Sequence, residues 1–479
     1  MSARPGTGNT SSTGTDSARA EASRHPVDEV LPPLKMITSG LQHVAAMYAG
    51  VVAVPLVIGA AAQLGPADTT LLMAASLFTA GIATLLQTLG VWRIGARLPF
   101  VNGVSFGGVA AMTAIIAAEG GRSGLPVIFG AVIVAGLLAF ALSSWFCKLV
   151  RFFPPVVTGS VITLIGLSLL PVAFGWIVDG AGEGGAAPMG NIGLAAVALV
   201  ITLAVRRYAR GFLQSVAILV GLVAGTVIAV PLGMADFSGL GEAGLLGFPT
   251  PFHFGPPQFS IPAILSMCIV MLVIMTESTA DMIALGRIVD KPVDERTIAA
   301  GLRADALGSA VAPVFNGFAA SAFAQNVGLV AMSKVRSRFV VAVGGAILIV
   351  LGLCPLAAAL VSAVPLPVLG GVGVVLFGTI AVSGIQTLVQ AGLDQGENAL
   401  IVAVTLGVGL APEMAHGFYE RFPDSATIIL DSGISTGCIL AVLLNLLFNH
   451  LRARKGDPRA PLGAPTEPKV TPQAAAHLH

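Results

Sequence analysis

Charge is what this sequence has least of. Only 10% of its 479 residues are Asp, Glu, Lys or Arg, against about 25% in an average soluble domain. Too few polar side chains remain to cover a water-facing globule, and the mean hydropathy is +0.89. The solvent of most of the chain must therefore be lipid. A net charge of +1 and the absence of any Lys/Arg run exclude a nucleic-acid footprint. Cysteine is also scarce. Cys147, Cys268, Cys354 and Cys438 all lie in apolar stretches and none forms C-x-x-C, which argues for packing rather than disulfide or metal roles. There is no phosphate loop and no zinc cluster, and "GVSFGG" is not the G-x-S-x-G of a nucleophile elbow. No catalytic set, metal or cofactor is expected. Gly and Pro, by contrast, are abundant at 58 and 30. Membrane helices tolerate both, because small residues allow close packing and neighbours re-satisfy broken backbone.

Roughly fourteen apolar blocks of membrane-spanning length can be read between residues 37 and 448. The third (100–118) and tenth (320–333) are short and interrupted early, by "FVNGVSFGG" and "FAQNVGLVA". Residues 1–34 are Ser/Thr/Gly-rich without an apolar leader segment, and residues 451–479 are Pro/Ala-rich; both read as disordered tails. Basic residues recur in every second loop: Lys35; Arg93 and Arg97; Lys148 and Arg151; Arg206, Arg207 and Arg210; Arg287, Lys291 and Arg296; Lys334, Arg336 and Arg338; Arg452, Arg454 and Lys455. This bias predicts an even number of spans with both tails in the cytoplasm. The halves look related: "PPVVTGSVITLIG" (154–166) aligns without gaps to "LPVLGGVGVVLFG" (366–378). Two copies of seven spans must be inverted relative to each other. Inverted repeats with broken segments in matching places are the signature of a secondary transporter whose site lies near the midplane.

Charges at membrane depth are costly and mark function by default. Glu277 and Asp281 in the eighth block are four apart, hence on one helical face, where they can accept ligand N–H groups or carry a proton. Asp305 in the ninth block fits either a proton site or a structural partner. Gln42 and His43 are adjacent in the first block, and His43 is either proton-sensitive or a satisfied packing residue. In the third block Ser105 and Phe106 flank glycines, and Phe106 can stack on a planar ligand or pack. In the tenth, Gln325 and Asn326 present donor and acceptor together, which suits a ring edge that alternates N–H and C=O.

"QNVGLVAMSK" resembles the signature of the nucleobase–ascorbate transporter family (nucleobase:cation symporters), through Gln325, Asn326, Gly328, Ser333 and Lys334. The Gln42–His43 pair, Glu277 with Asp281, and Asp305 match further motifs of that family in order, over about residues 35–450. Ser333 replaces the usual Thr and keeps the hydroxyl. The resemblance implies an all-α polytopic membrane protein with fourteen spans in two inverted seven-helix repeats. Short strands are expected in segments three and ten. A core domain (35–150 and 259–364) faces a gate domain (151–258 and 365–450). It also implies that Glu277 and Gln325 hold a base on whose face Phe106 stacks, with Ser105, Gln42 and Asn326 nearby. Glu277, Asp281, Asp305 and His43 are the candidates for proton coupling; Gly328 and Ser333 are structural, Gly328 letting the chain turn from extended to helical. Gln325 favours an oxidised purine over uracil, and Ser105 leans toward urate, with xanthine also in range. A proton-symporting urate or xanthine permease is expected, as a homodimer in the inner membrane. The alternatives are another nucleobase permease, or an anion exchanger or channel of the same fold.

Overall fold

The computed structural model describes residues 25–149, 152–178, 187–235, 237, 244–394, 397–415 and 417–451. The first half contains α1 (Pro33–Ala61), α2 (Pro66–Leu89), β1 (Asn102–Val104), α3 (Val109–Glu119), α4 (Gly124–Leu149), α5 (Pro155–Ser168), α6 (Leu170–Val178), α7 (Met189–Tyr208) and α8 (Ala217–Ala229). The second contains α9 (Ile261–Ile288), α10 (Glu295–Val311), β2 (Ala320–Ala322), α11 (Ala324–Ser333), α12 (Arg338–Gly352), α13 (Pro355–Ser362), α14 (Leu366–Val389), α15 (Asn398–Gly409), α16 (Asp424–Leu430) and α17 (Gly433–Asn445). Several helices open on a proline in the first turn, where its missing N–H costs nothing and its fixed φ suits the helix; α1, α2, α5, α9 and α14 are examples.

Among the described residues, nine helices are long and apolar enough to cross a bilayer, or ten if α12 and α13, bent by 86° at their junction, form one broken span. The remaining apolar blocks hold shorter helices. The third and tenth spend residues on a strand before α3 and α11, while α8 and α15 have only 13 and 12 residues. The segment 25–34, expected to belong to a tail, is instead packed on the helices. Val27 is fully buried, Arg338 Nε donates to Asp28 Oδ1 at 2.6 Å, and Ser337 Oγ donates to the Glu29 carbonyl at 2.5 Å. The rest of the expected tails, 1–24 and 452–479, lies outside the described residues, as does Arg151. At the basic end between α9 and α10, Asp294 caps α10. The Thr297 hydroxyl and N–H donate to its Oδ1 at 2.6 and 2.9 Å and hold its carboxyl below the usual carboxylate range.

Two features position the interior. First, β1 and β2 pair antiparallel, with Asn102 opposite Ala322, Gly103 opposite Ser321 and Val104 opposite Ala320. Extended backbone at membrane depth is tolerated only when its polar groups are paired and kept from lipid, and this pair meets both conditions. Second, α5 and α14 lie backbone to backbone. A Cβ on Gly166 would stand 2.2 Å from the Ala381 nitrogen, and one on Gly384 would stand 2.2 Å from the Thr163 nitrogen. Only small residues permit that approach. The stretches 154–166 and 366–378, alike in sequence, are the N-terminal parts of these two packed helices.

Candidate functional site

A cavity of about 310 Å³ lies between the strand crossing and the helices α5, α7 and α14. Ser105 and Phe106 reach it from the first crossing segment, Ser321, Phe323 and Gln325 from the second, and Glu277 from α9. Ser105 is an N-cap: its Oγ accepts the Gly107 N–H at 3.2 Å and fixes the turn that presents Phe106. The Phe106 ring meets Phe377 edge-on at 5.9 Å and lies 6.4 Å from Phe323. Phe323 in turn fills space left by two glycines: a Cβ on Gly103 would come within 2.4 Å of its ring, and one on Gly50 within 2.7 Å. Phe323 is also where the chain changes from β2 to α11, its extended backbone capping the helix. Two residues later Gln325 sits in the first turn of α11 and is exposed to the cavity. Ser321 Oγ donates to Glu277 Oε2 at 3.3 Å, tying the carboxylate to β2.

Four of the residues singled out from the sequence, Glu277, Gln325, Phe106 and Ser105, therefore come together around one cavity. The others do not line it. Asn326, one position beyond Gln325, is buried and turned toward α1, its Nδ2 lying 3.0 Å from the His43 carbonyl and 3.1 Å from His43 Nδ1. His43 and Asn326 thus clasp α1 to α11, and Gln42 is half-buried on α1 outside the cavity lining. Asp305 is fully buried on α10, where its Oδ1 accepts Gln87 Nε2 at 2.7 Å and Asn102 Nδ2 at 2.5 Å. It anchors β1 from behind. Asp281 lies one turn beyond Glu277 and also outside the lining. Ser333 Oγ accepts the Val335 N–H at 3.3 Å at the end of α11. Gly328 corrects an expectation. It lies in the middle of α11, and the extended-to-helical switch falls five residues earlier, at Phe323.

The wall opposite the crossing adds residues that the sequence does not single out. Thr379, Ser383 and Gln386 line the cavity from α14, and Arg206 lines it from the end of α7. Positions 379, 383 and 386 share one helical face, a polar stripe that spacing alone could have revealed. In the sequence Arg206 is one basic residue among several in its loop.

The fold and this enclosed polar cavity define a polytopic α-helical membrane carrier. The sequence model described as Permease family (Xan_ur_permease) matches residues 34–416, and the chain belongs to that family, the nucleobase–ascorbate transporters. It is a permease, not an enzyme. The chain is 40% identical to the uric acid permease PucK of Bacillus subtilis over 427 residues, 88% of this chain and 98% of that one. It is 40% identical to the uric acid transporter UacT of Escherichia coli over 425 residues, 88% of each. It is 38% identical to a xanthine permease of Bacillus subtilis over 429 residues, 89% and 97% of the two chains. Among solved structures, the transmembrane domain of the cyanobacterial bicarbonate transporter BicA superposes with a TM-score of 0.55 at 18% identity, covering 85% of this chain and 96% of that one. SLC26A9 gives 0.61 at 13%, covering 93% and 73%. At such identities the two structures speak for the fold alone.

Proposed function

We propose that this protein imports an oxidised purine base, urate or xanthine or both, by proton symport through alternating access. One observation carries the reading: Glu277, Gln325, Ser105 and Phe106, drawn from three separate stretches of sequence, converge on a single cavity. A carboxylate and a carboxamide match the alternating N–H and C=O edge of such a base, and an aromatic ring matches its face. The relatives at about 40% identity are named for uric acid, and a further one for xanthine. Glu277 is the cavity's carboxylate and the best placed to take a proton with substrate; Asp305 is committed to two amide donors behind β1.

In this reading fourteen segments form two inverted sevens, with the strand-bearing core domain rocking against the gate domain. The pairing of β1 with β2 and of α5 with α14 supports the inverted relation. Exposed aromatics support cytoplasmic tails. Trp92, Trp145 and Tyr208 stand beside Arg93, Lys148 and Arg207, each cation 5.5 Å from its ring, at helix ends of the basic side. The carrier would work as a homodimer in the inner membrane.

The test is uptake of labelled urate and xanthine into cells expressing wild type, Glu277→Ala and Gln325→Ala at matched abundance. Wild type should accumulate at least one of the two purines in an uncoupler-sensitive way, and both variants should lose it. Transport of neither purine by wild type defeats the substrate assignment; undiminished transport by both variants defeats the site.

A further inference from the structure

We infer that Arg206 is an electrostatic selector at the cavity mouth, favouring an anionic oxidised purine over a neutral one. The inference rests on the proposed purine function and deepens it. Among the described residues that line the cavity, only Glu277 and Arg206 carry formal charge, and they come from opposite walls. Glu277 stands at the strand crossing. Arg206 stands near the end of α7, a helix that packs on α8 and α14.

The backbone around Arg206 is pinned. Gln214 Nε2 donates to its carbonyl at 3.1 Å, and its own Nη1 donates to the Gln214 carbonyl at 3.3 Å. No carboxylate lies within ion-pair distance of its guanidinium among the described residues. Its neighbour differs: the Arg207 guanidinium lies over Tyr208 at the interface. A guanidinium has five donors in a rigid fork, so most of those on Arg206 are available to a ligand.

The chemistry of the bases supplies the discrimination. Urate is a monoanion at neutral pH, while xanthine is largely neutral. A monoanion entering a cavity whose other charge is a carboxylate is repelled when that carboxylate is ionised. A cation on the facing wall offsets the repulsion, and a neutral base needs no such help. Because Arg206 is exposed, water and salt screen its field, so the effect is selective and moderate rather than absolute.

The test measures binding of urate and xanthine to the purified full-length protein, wild type, R206Q and R206K, at neutral pH and at low and high salt. For R206Q the ratio of urate to xanthine affinity should fall about tenfold. R206K should keep most of the ratio, since the charge remains. In wild type, high salt should lower the ratio, and in R206Q it should not. A ratio unmoved by R206Q, or lost equally in R206K, overturns the inference. If R206Q does not fold, the wild-type salt series decides, a flat ratio being fatal. Wild type binding neither purine removes the purine reading and this inference with it. Wild type binding both, with an unmoved ratio, removes only the role of Arg206.

Discussion

In the first crossing segment the strand's polar side chain turns away from the cavity: Asn102 donates to Asp305 at 2.5 Å, behind β1. In the second it turns the other way: Ser321 donates to Glu277, at the cavity, at 3.3 Å. Both strands are three residues long and both lead into a half-helix. The residues just after the two strands differ as well. The first strand delivers a ring, Phe106, after a Ser105 cap; the second spends its ring, Phe323, on packing against Gly50 and Gly103 and delivers an amide, Gln325. One arm thus supplies a face and the other an edge. A planar base has both, and a spherical ion has neither.

The largest break in this comparison should come from removing the anchor of the first arm. Asp305→Ala strands the Gln87 and Asn102 amides in a buried site, at a cost of about 2–5 kcal/mol. Melting of the purified protein should drop sharply and membrane abundance should fall; a wild-type melting curve would show that β1 needs no anchor. Next come the two recognition groups. Gln325→Ala should weaken purine binding by up to about a hundredfold, through two lost hydrogen bonds. Phe106→Ala should cost closer to tenfold, about 1.5 kcal/mol of stacking. Phe106→Tyr should restore what Phe106→Ala removes, whereas Gln325→Asn, one methylene short, should not restore Gln325→Ala. Equal rescue of both in a direct binding titration would erase the distinction between face and edge.

Asn326→Ala should separate stability from recognition. Loss of its contacts to His43 should cost about 1–2 kcal/mol of stability, while the KM for purine moves less than about twofold. A large KM change with unchanged melting would place Asn326 at the ligand instead. The smallest effect is expected from Ser105→Asn. Asn is as good an N-cap as Ser, so the turn survives. The urate-to-xanthine uptake ratio should shift only a few-fold, toward xanthine.

The residues that read well from sequence were those that break a rule. Glu277 is a charge in an apolar run, and Gln325 and Asn326 are amides in another, so both stretches announced themselves. Sequence could not separate the adjacent Gln325 and Asn326, because neighbours on a helix point about 100° apart and only the fold says which side is the cavity. The opposite wall stayed hidden for a different reason. Thr379 donates to its own helix at Leu376, as hydroxyls in membrane helices commonly do, and so looks ordinary. Arg206 fits the loop charge bias so well that nothing distinguished it from Arg207. Fold class and the placement of the two breaks were legible through hydropathy and glycine. The count of full-length spans was not, because hydropathy registers apolar length without showing where a block gives up residues to a strand or stops after three turns, as in α8 and α15.

The β1–β2 pair is held by main-chain groups, and main-chain groups are the same whatever the side chains. Its outward positions are therefore open to mutation at little structural risk, as Gly103 with its packed Phe323 is not. Substrate preference can then drift by single codons while the scaffold that presents it is inherited intact, so that close relatives sharing one architecture come to feed on different molecules.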